Sequence, residues 1–545
     1  MPRSPSAPLA VAIEAPTASR VSPERSRLAL VGVLAVALIV FSVPAGRRPL
    51  WSSDEARFAL LARDILEHGR WLVPHLRGDL YLNKPQLYFW SIALLSLPGG
   101  RVTELTATLP SVVSAVATVG AVVAIGRLLW SPSVGLLAGL VLVSTPPFYA
   151  FSHEALADTM LTAFGTWALY FVLRGQNGGG AVCLLAFYGC IGGAVLAKGP
   201  AGLAVLLAAF VGTAIGRGPA ALAQLKPLYG VSVLAIVALV WLAPYLLLSE
   251  GRFVSRVLVG HYAPWYLGGG LVPRLAQFQK LLSNFLPWTV LLVAAAGARS
   301  RRPDAARRWL VAATISLTLA LGLAGHQRAR YLLPIYPLLA LLVAEFVGRA
   351  GSDGRWRALR GGAWTFAASV VGVGLHGPVL LRRVAAEDRA FVPDRPLEMA
   401  AVVALVLGAG LVQALAVRRE RFVAGSAAAA LLIAAALVVE GVAYPPRYAR
   451  DNDLRPVAAA AVAHTPAGMP VVAHPDARLS LDFYVGGAVV EAATSQGAAS
   501  LVERTAGAVV TTPRHWPALA QALPPTARVV ADHLVAGRHM LVVVP

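Results

Sequence analysis

The stretch WSSDEARFALLARDILEHGRWLVPHLRGDLYLNKPQLYFW, Trp51–Trp90, comes directly after an apolar run, Leu28–Ala45, and is dense in mixed charge. Asp54, Glu55, Arg57, Arg63, Asp64, Glu67, Arg70, Arg77, Asp79 and Lys84 all fall within it. The chain around it is the opposite: of 545 residues, 57% are hydrophobic and 14% charged. A soluble protein has nowhere to hide so much apolar side chain, whereas lipid-facing helices expose it. The composition implies a polytopic membrane protein. Its densest charge stands just outside its first span, and that placement needs a chemical reason.

The formal net charge is +20, from 47 Lys and Arg against 27 Asp and Glu. The arginines lie mainly between apolar runs, which points to cytoplasmic loops and anionic headgroups, with no nucleic-acid partner. Cys183 and Cys190 share one apolar run. On a helix that spacing separates them by roughly 10 Å along the axis, too far for a disulfide. Leu28–Ala45 is longer than an ordinary signal-peptide core and is read as a retained span.

Thirteen apolar runs, from Leu28–Ala45 to Phe422–Val442, are predicted to cross the bilayer. Several are shorter than the ~20 residues of an untilted span. Charge sets the orientation. The tail, residues 1–27, carries Arg3, Arg20, Arg25 and Arg27, and alternate loops on its side hold ARSRRPDAARR, GRAGSDGRWRALR and VRRER. By the positive-inside rule that side is cytoplasmic. The opening loop, 46–108, is then external, as are STPPFYAFSHEALAD, the segment from Ser249 to Arg274, GHQRARYLLP and everything from Tyr444 onward.

Residues 444–545 alternate β-type runs (MPVVAH, LDFYVGGAVV, AGAVVTT, HMLVVV) with Ala-rich helical stretches, the pattern of a small α/β domain. The predicted architecture is an all-α polytopic membrane domain over 28–443, with about 13 transmembrane helices, followed by an external α/β domain.

Within the opening loop, SSDEARFALLARDILEHG reads as an amphipathic helix with Phe58, Leu61, Ile65 and Leu66 on one face and Gly69 as its stop. It is expected to lie on the membrane surface, apolar side down. Ser52 and Glu55 match a capping box, a complete structural account of Glu55. Asp54 is favoured by the helix dipole but has no capping role, so it is the candidate acid/base at the lipid–water boundary. Lys84, alone, reads as a lysine snorkelling to headgroups; beside Tyr81 it reads as a grip on a lipid phosphate. Arg328, Arg330 and Tyr331 form a similar basic-aromatic cluster at the mouth of another span, and Asp158 opens an external helix end, where an N-cap would also explain it.

Taken in order, Asp54–Pro85, LPS at Leu109–Ser111, ALADTMLT at Ala155–Thr162, LAKGP at Leu196–Pro200, FLPW at Phe285–Trp288 and RARYLLPIYP at Arg328–Pro337 resemble the C-type (GT-C) membrane glycosyltransferases. The nearest branch is the protein O-mannosyltransferase and lipid A aminoarabinose transferase group. LDFYVGG at Leu481–Gly487 resembles a strand of that group's external domain.

The resemblance implies a polyprenyl-phosphate sugar donor, a glycolipid or protein acceptor, and transfer on the outer face of the cell (inner) membrane. It puts Asp54 on the first-loop acid at the reacting centre, Asp158 on the acid of the second external loop, Lys84 and Tyr81 on positions that hold the donor phosphate, and Tyr331 near the same group. With the residues read from the sequence itself, the candidate catalytic set is Asp54, Glu55 and Asp158, and the candidate substrate-binding set is Tyr81, Asn83, Lys84, His261, Arg328, Arg330 and Tyr331. The aminoarabinose branch usually has Glu where this chain has Asn83, which puts the same sugar in question. No cofactor is fixed by the sequence; a divalent metal ion is the one candidate, and Asn83 weakens it. HYAPWYLGG also lacks an arginine common in relatives, for which Arg256 or Arg274 could substitute. The alternative function is a transporter or flippase for lipid-linked sugars. It would favour paired repeats and mid-span acids, and neither is visible in the sequence.

Overall fold

In this computed structural model, residues 22–50, 52–264, 268, 270–298, 304–325, 328–351, 354–381, 396–475, 478–535 and 537–545 are described. Each of the thirteen predicted apolar runs falls largely on helix, although Val43–Ala45 and Phe285–Trp288 are turns. Among the described residues, eight helices are long and apolar enough to cross a membrane, or ten if each of two sharply bent pairs counts as one span. One of the eight, Ala157–Lys198, is two helices folded back on each other at Asn177 and Gly178, where the backbone leaves helical geometry.

The first span is α1 (Pro23–Ser42), started by the Ser22 hydroxyl accepting from the Arg25 amide. The charged loop then forms α2 (Ser53–His68), the short hairpin β1 (His75–Leu76) and β2 (Asp79–Leu80), and α3 (Leu87–Ser96). Next come α4 (Glu104–Leu129), α5 (Pro132–Val143), α6 (Pro146–Ser152), α7 (Ala157–Arg174), α8 (Gly180–Lys198) and α9 (Ala201–Arg217). They are followed by α10 (Pro227–Val237), α11 (Ala243–Leu248), a further helix Phe253–Tyr262, α12 (Leu271–Asn284), α13 (Thr289–Gly297) and α14 (Ala305–Gly322). The last long helices are α15 (Tyr336–Arg349), α16 (Trp356–Leu381), α17 (Pro396–Arg418) and α18 (Phe422–Asn452).

The α2 capping box is present as expected: Ser52 accepts from the Glu55 amide, and the Glu55 carboxylate accepts from the Ser52 amide. Gly69 ends the helix with φ +68, a conformation that costs glycine little. The apolar face, however, is not laid on lipid. Phe58, Leu61 and Ile65 are buried in a protein core with Tyr88, Phe89 and Ile92 of α3 and Met160 of α7. Burying each such side chain is worth roughly 1.5–3 kcal/mol. Neighbouring helices therefore claim the face that the amphipathic pattern assigned to the membrane.

After α18 come α19 (Arg455–Ala463), β3 (Val471–Ala473), α20 (Leu479–Val485), β4 (Val489–Glu491), α21 (Ser495–Thr505), β5 (Val509–Thr511), α22 (Trp516–Ala522), β6 (Arg528–Val535) and β7 (Arg538–Val544). The sheet order is β4-β3-β5-β7-β6, with β4, β3 and β5 parallel and β7 antiparallel to both of its neighbours. One expectation is corrected here: LDFYVGG is helix, not strand. Phe483 is drawn into the core beside α2, and Gly486 at φ +75 closes the turn, leaving only Val489–Glu491 extended.

Candidate active site

Five separate segments meet at one end of the helices around a cavity of about 500 Å³. The start of α2 contributes Asp54, Arg57 and Phe58. The hairpin and the chain after it contribute Leu76, Asp79, Leu80, Tyr81, Asn83 and Lys84. The start of α7 supplies Asp158, the end of α8 supplies Lys198, and the approach to α15 supplies Arg328, Arg330 and Tyr331.

Helix ends explain part of the placement. Asp158 lies in the first turn of α7 and Lys198 in the last turn of α8, where each charge opposes the local helix dipole. They form an ion pair with Asp158 almost fully buried. The N-cap of α7 is Leu156, so capping does not explain Asp158. Gly199 takes φ +69 beneath the Tyr262 hydroxyl, a turn that leaves Lys198 at the helix end facing the cavity.

Asp54 is the hub. Its carboxylate pairs with Arg57 on its own helix, with Arg330, and with Arg328 at 3.0 Å. Burial alone would raise its pKa, but Arg330, Arg57 and Arg328 outweigh that and hold the carboxyl down at about 2. Arg330 Nε lies 3.8 Å from an Asp158 oxygen, is buried, and has no hydrogen-bond partner among the described residues. The Tyr331 ring sits under both cations, 4.3 Å from the Lys198 ammonium and 5.7 Å from the Arg330 guanidinium.

Lys84 is half-buried. Burial first, and then the like charge of Lys198, lower its ammonium to about 8. Its segment is strapped down through the backbone: the Tyr245 hydroxyl donates to the Lys84 carbonyl at 2.9 Å and the Tyr262 hydroxyl to the Asn83 carbonyl at 3.2 Å. Tyr81 is buried, and its phenol is pushed up to about 12 by that burial, so it stays a neutral donor.

The structure thus brings Asp54, Tyr81, Asn83, Lys84, Asp158, Arg328, Arg330 and Tyr331 together. Glu55 is not with them. Arg48 binds it at 2.5 and 3.0 Å, and it also accepts from the Ala155 amide. Arg274 donates to the Gly268 carbonyl, and neither it nor Arg256 lines the cavity. The side chain of His261 lies outside the described residues.

Sequence reasoning missed Lys198 and Arg57 as site residues. Lys198 was within reach, because LAKGP follows the fifth predicted span and the alternation of loops puts it on the same side as Lys84. Among the described residues no group of three His, Cys, Asp or Glu is placed to hold a metal ion. Asp54 and Asp158 are engaged by cations.

Comparison with known proteins agrees with this architecture. Residues 83–246 match the family model described as dolichyl-phosphate-mannose-protein mannosyltransferase. An undecaprenyl phosphate-alpha-4-amino-4-deoxy-L-arabinose arabinosyl transferase of Pectobacterium atrosepticum is 27% identical over 63% of this chain and 63% of its own length. The enzyme of the same description from Aeromonas salmonicida is 28% identical over 60% of this chain and 61% of its own. The crystal structure of ArnT from Cupriavidus metallidurans bound to undecaprenyl phosphate superposes with TM-score 0.72 at 20% identity, over 94% of this chain and 97% of that one. An oligosaccharyltransferase from Archaeoglobus fulgidus shares the fold more distantly, with TM-score 0.51 at 12% identity, over 93% of this chain and 72% of that one. The helical domain, its charged loop and the small C-terminal sheet together have the fold of the C-type (GT-C) membrane glycosyltransferases.

Proposed function

We propose that this protein transfers a sugar from a polyprenyl-phosphate donor to a cell-envelope acceptor at the outer face of the membrane. The observation that carries the reading is the cavity itself. Among the described residues, five cationic side chains and three carboxylates line it, and the buried Arg330 Nε still has a hydrogen bond to give. Its volume is that of a small-ligand site. Its relatives' descriptions supply the donor class, an undecaprenyl-phosphate sugar.

The chemistry is a displacement at the anomeric carbon. An acceptor hydroxyl attacks that carbon, the bond from carbon to phosphate oxygen breaks, and the electron pair leaves with the polyprenyl phosphate. Lys84, Arg330 and the Tyr81 hydroxyl meet the charge that builds on the leaving phosphate. Asp54 takes the acceptor's proton. In the unliganded site its three guanidiniums make it a weak base. When the donor phosphate draws them away, the carboxylate becomes a better one. Asp158 holds Lys198 in place, and through it the Tyr331 ring.

A second, open groove of about 490 Å³ is lined by Trp71, Leu72, Leu248 and Leu80, and Leu80 also lines the cavity. Hairpin residues border both, His75 and Leu80 on the groove and Leu76, Asp79 and Leu80 on the cavity, which supports an isoprenoid tail lying in the groove with its phosphate in the cavity. The arginine-rich tail and loops support a cytoplasmic N-terminus and an external site.

The test is transfer in vitro: purified protein in nanodiscs, an undecaprenyl-phosphate sugar, and a lipid A-type or protein acceptor. Mass spectrometry of envelope glycolipids and glycoproteins from a deletion strain then identifies the natural pair. Wild-type protein that neither binds undecaprenyl phosphate nor alters any envelope glycan ends the proposal.

A further inference from the structure

The hairpin that precedes Lys84 is too slight to hold itself. Each strand has two residues, paired His75 with Leu80 and Leu76 with Asp79. Isolated two-stranded ribbons are marginal at best. Its turn is also costly: Arg77 at φ +55 and Gly78 at φ +86 are consecutive left-handed residues, and only glycine takes that conformation cheaply. Such a turn persists where its surroundings hold it.

Part of the hold comes from α2, whose Asp64 carboxylate accepts from the His75 amide at 2.8 Å, and part from the C-terminal domain. The Arg77 guanidinium makes a two-pronged contact with the Asp482 carboxylate of α20, at 2.6 and 3.1 Å, and reaches Glu491 at the end of β4 at 3.1 Å. The same helix also grips α2. Arg63 of α2 donates to the Phe483 carbonyl at 2.6 Å and lies over the Phe483 ring, while Phe483 itself enters the core that buries Phe58 and Ile65. The neighbouring Tyr484 hydroxyl accepts from the Leu50 amide at 2.7 Å, just ahead of α2. One short helix of the C-terminal domain therefore touches both walls of the cavity: α2, which carries Asp54, and the hairpin, which leads into Tyr81, Asn83 and Lys84.

We propose that α20 of the C-terminal domain is a clamp that sets the spacing between Asp54 and Lys84, with Asp482 as the positioning residue acting through Arg77. None of α20 lines the cavity, so the domain shapes the site without touching a substrate. Docking of the domain reinforces the direct Asp64–His75 link between the two walls, which gives the small sheet domain a role in donor binding. The inference rests on the donor reading above for its binding arm, but its structural arm stands apart from it.

The experiment compares wild type, Asp482→Asn, Arg77→Ala and, as control, Asp532→Asn, whose partner His539 lies on the far hairpin of the sheet. Each full-length protein is measured in nanodiscs for hydrogen exchange at residues 75–84, for affinity for undecaprenyl phosphate, and for thermal midpoint. Asp482→Asn and Arg77→Ala are expected to speed exchange across the hairpin and to weaken undecaprenyl phosphate binding about tenfold, the cost of ordering a loosened segment on binding. Turnover at saturating donor should stay within about threefold of wild type, since the reacting groups are unchanged. Asp532→Asn should match wild type throughout. If Asp482→Asn fails to fold, Asp482→Glu and Arg77→Lys provide the same comparison with charge retained, and are expected to give smaller changes in the same direction.

Hairpin exchange and affinity equal to wild type in the Asp482 and Arg77 variants overturn the clamp. Hairpin exchange that rises while wild type itself binds no undecaprenyl phosphate sinks the donor reading and leaves the clamp standing.

Discussion

Asp54→Asn separates the counter-ion role that the structure shows for this carboxylate from the base role proposed for it. In the unliganded protein it is the shared counter-ion of Arg57, Arg328 and Arg330, and its pKa falls from 3.8 to about 2. At about 1.4 kcal/mol per unit, that depression corresponds to about 2–3 kcal/mol of net stabilisation. The folded-state pKa lies below the unfolded one, so the stabilisation is complete above the ordinary carboxylate range and is lost as pH falls through about 2. At neutral pH it is fully present. Asp54→Asn is therefore expected to lower the thermal midpoint by a few degrees.

Its chemical cost is larger: general base catalysis contributes roughly a hundred- to ten-thousandfold. Single-turnover transfer at saturating donor should fall by about three orders of magnitude. Undecaprenyl phosphate binding should stay equal or tighten, because the substitution removes a like charge and releases three guanidiniums toward the phosphate. Equilibrium binding of radiolabelled undecaprenyl phosphate, run beside rapid-quench transfer, reads both quantities on one preparation. Transfer within tenfold of wild type would refute the base assignment. So would binding lost in proportion to transfer, which would make Asp54 a counter-ion only.

Lys84 predicts an alkaline limb. Its ammonium sits at about 8 in the free protein, charged below that pH and neutral above, so kcat/KM should decline as pH rises through about 8. In Lys84→Arg, whatever activity survives should lose that limb, because a guanidinium stays charged throughout; a pH–rate profile checks it. Glu55→Gln should cost about 3 kcal/mol of stability by stranding the buried Arg48, with turnover per folded molecule little changed; thermal unfolding beside specific activity tests this. Cysteines placed at Gly78 and Gly497 should both react with a membrane-impermeant reagent in intact cells, and labelling of only one would break the proposed external placement of loop and sheet domain.

The helices were legible because apolar runs bounded by arginine leave little choice of structure, and every predicted run lies largely on helix. The convergence of Asp54, Lys84, Asp158 and Arg328 was legible for a subtler reason. The predicted spans between them come in even numbers, so their loops had to share a side even though no single loop revealed its neighbours. Three things were not legible. The apolar face of α2 looks the same in sequence whether lipid or α3 covers it. LDFYVGG carries strand-forming residues, but Phe483 and Gly486 are used for a tertiary anchor and a helix stop. Lys198 reads as an ordinary helix-end lysine until Asp158 is placed beside it.

A phosphate site walled only by cations would bind its product as firmly as its substrate. Binding both equally well slows release and adds nothing to the rate of the chemical step. The acids in this cavity answer that problem. Asp54 and Asp158 hold Arg57, Arg328, Arg330 and Lys198 in place before any ligand arrives, which removes the repulsion that would otherwise scatter them. They also compete for those same cations once the polyprenyl phosphate has left the sugar, so the product meets a site with internal counter-ions ready to return. If the cavity turns over a lipid phosphate as proposed, mixed charge serves it better than simple positive charge. On the proposed function this accounts for the four charges of the run that line the cavity, Asp54, Arg57, Asp79 and Lys84, while Glu55, Arg63, Asp64, Arg70 and Arg77 make structural contacts elsewhere.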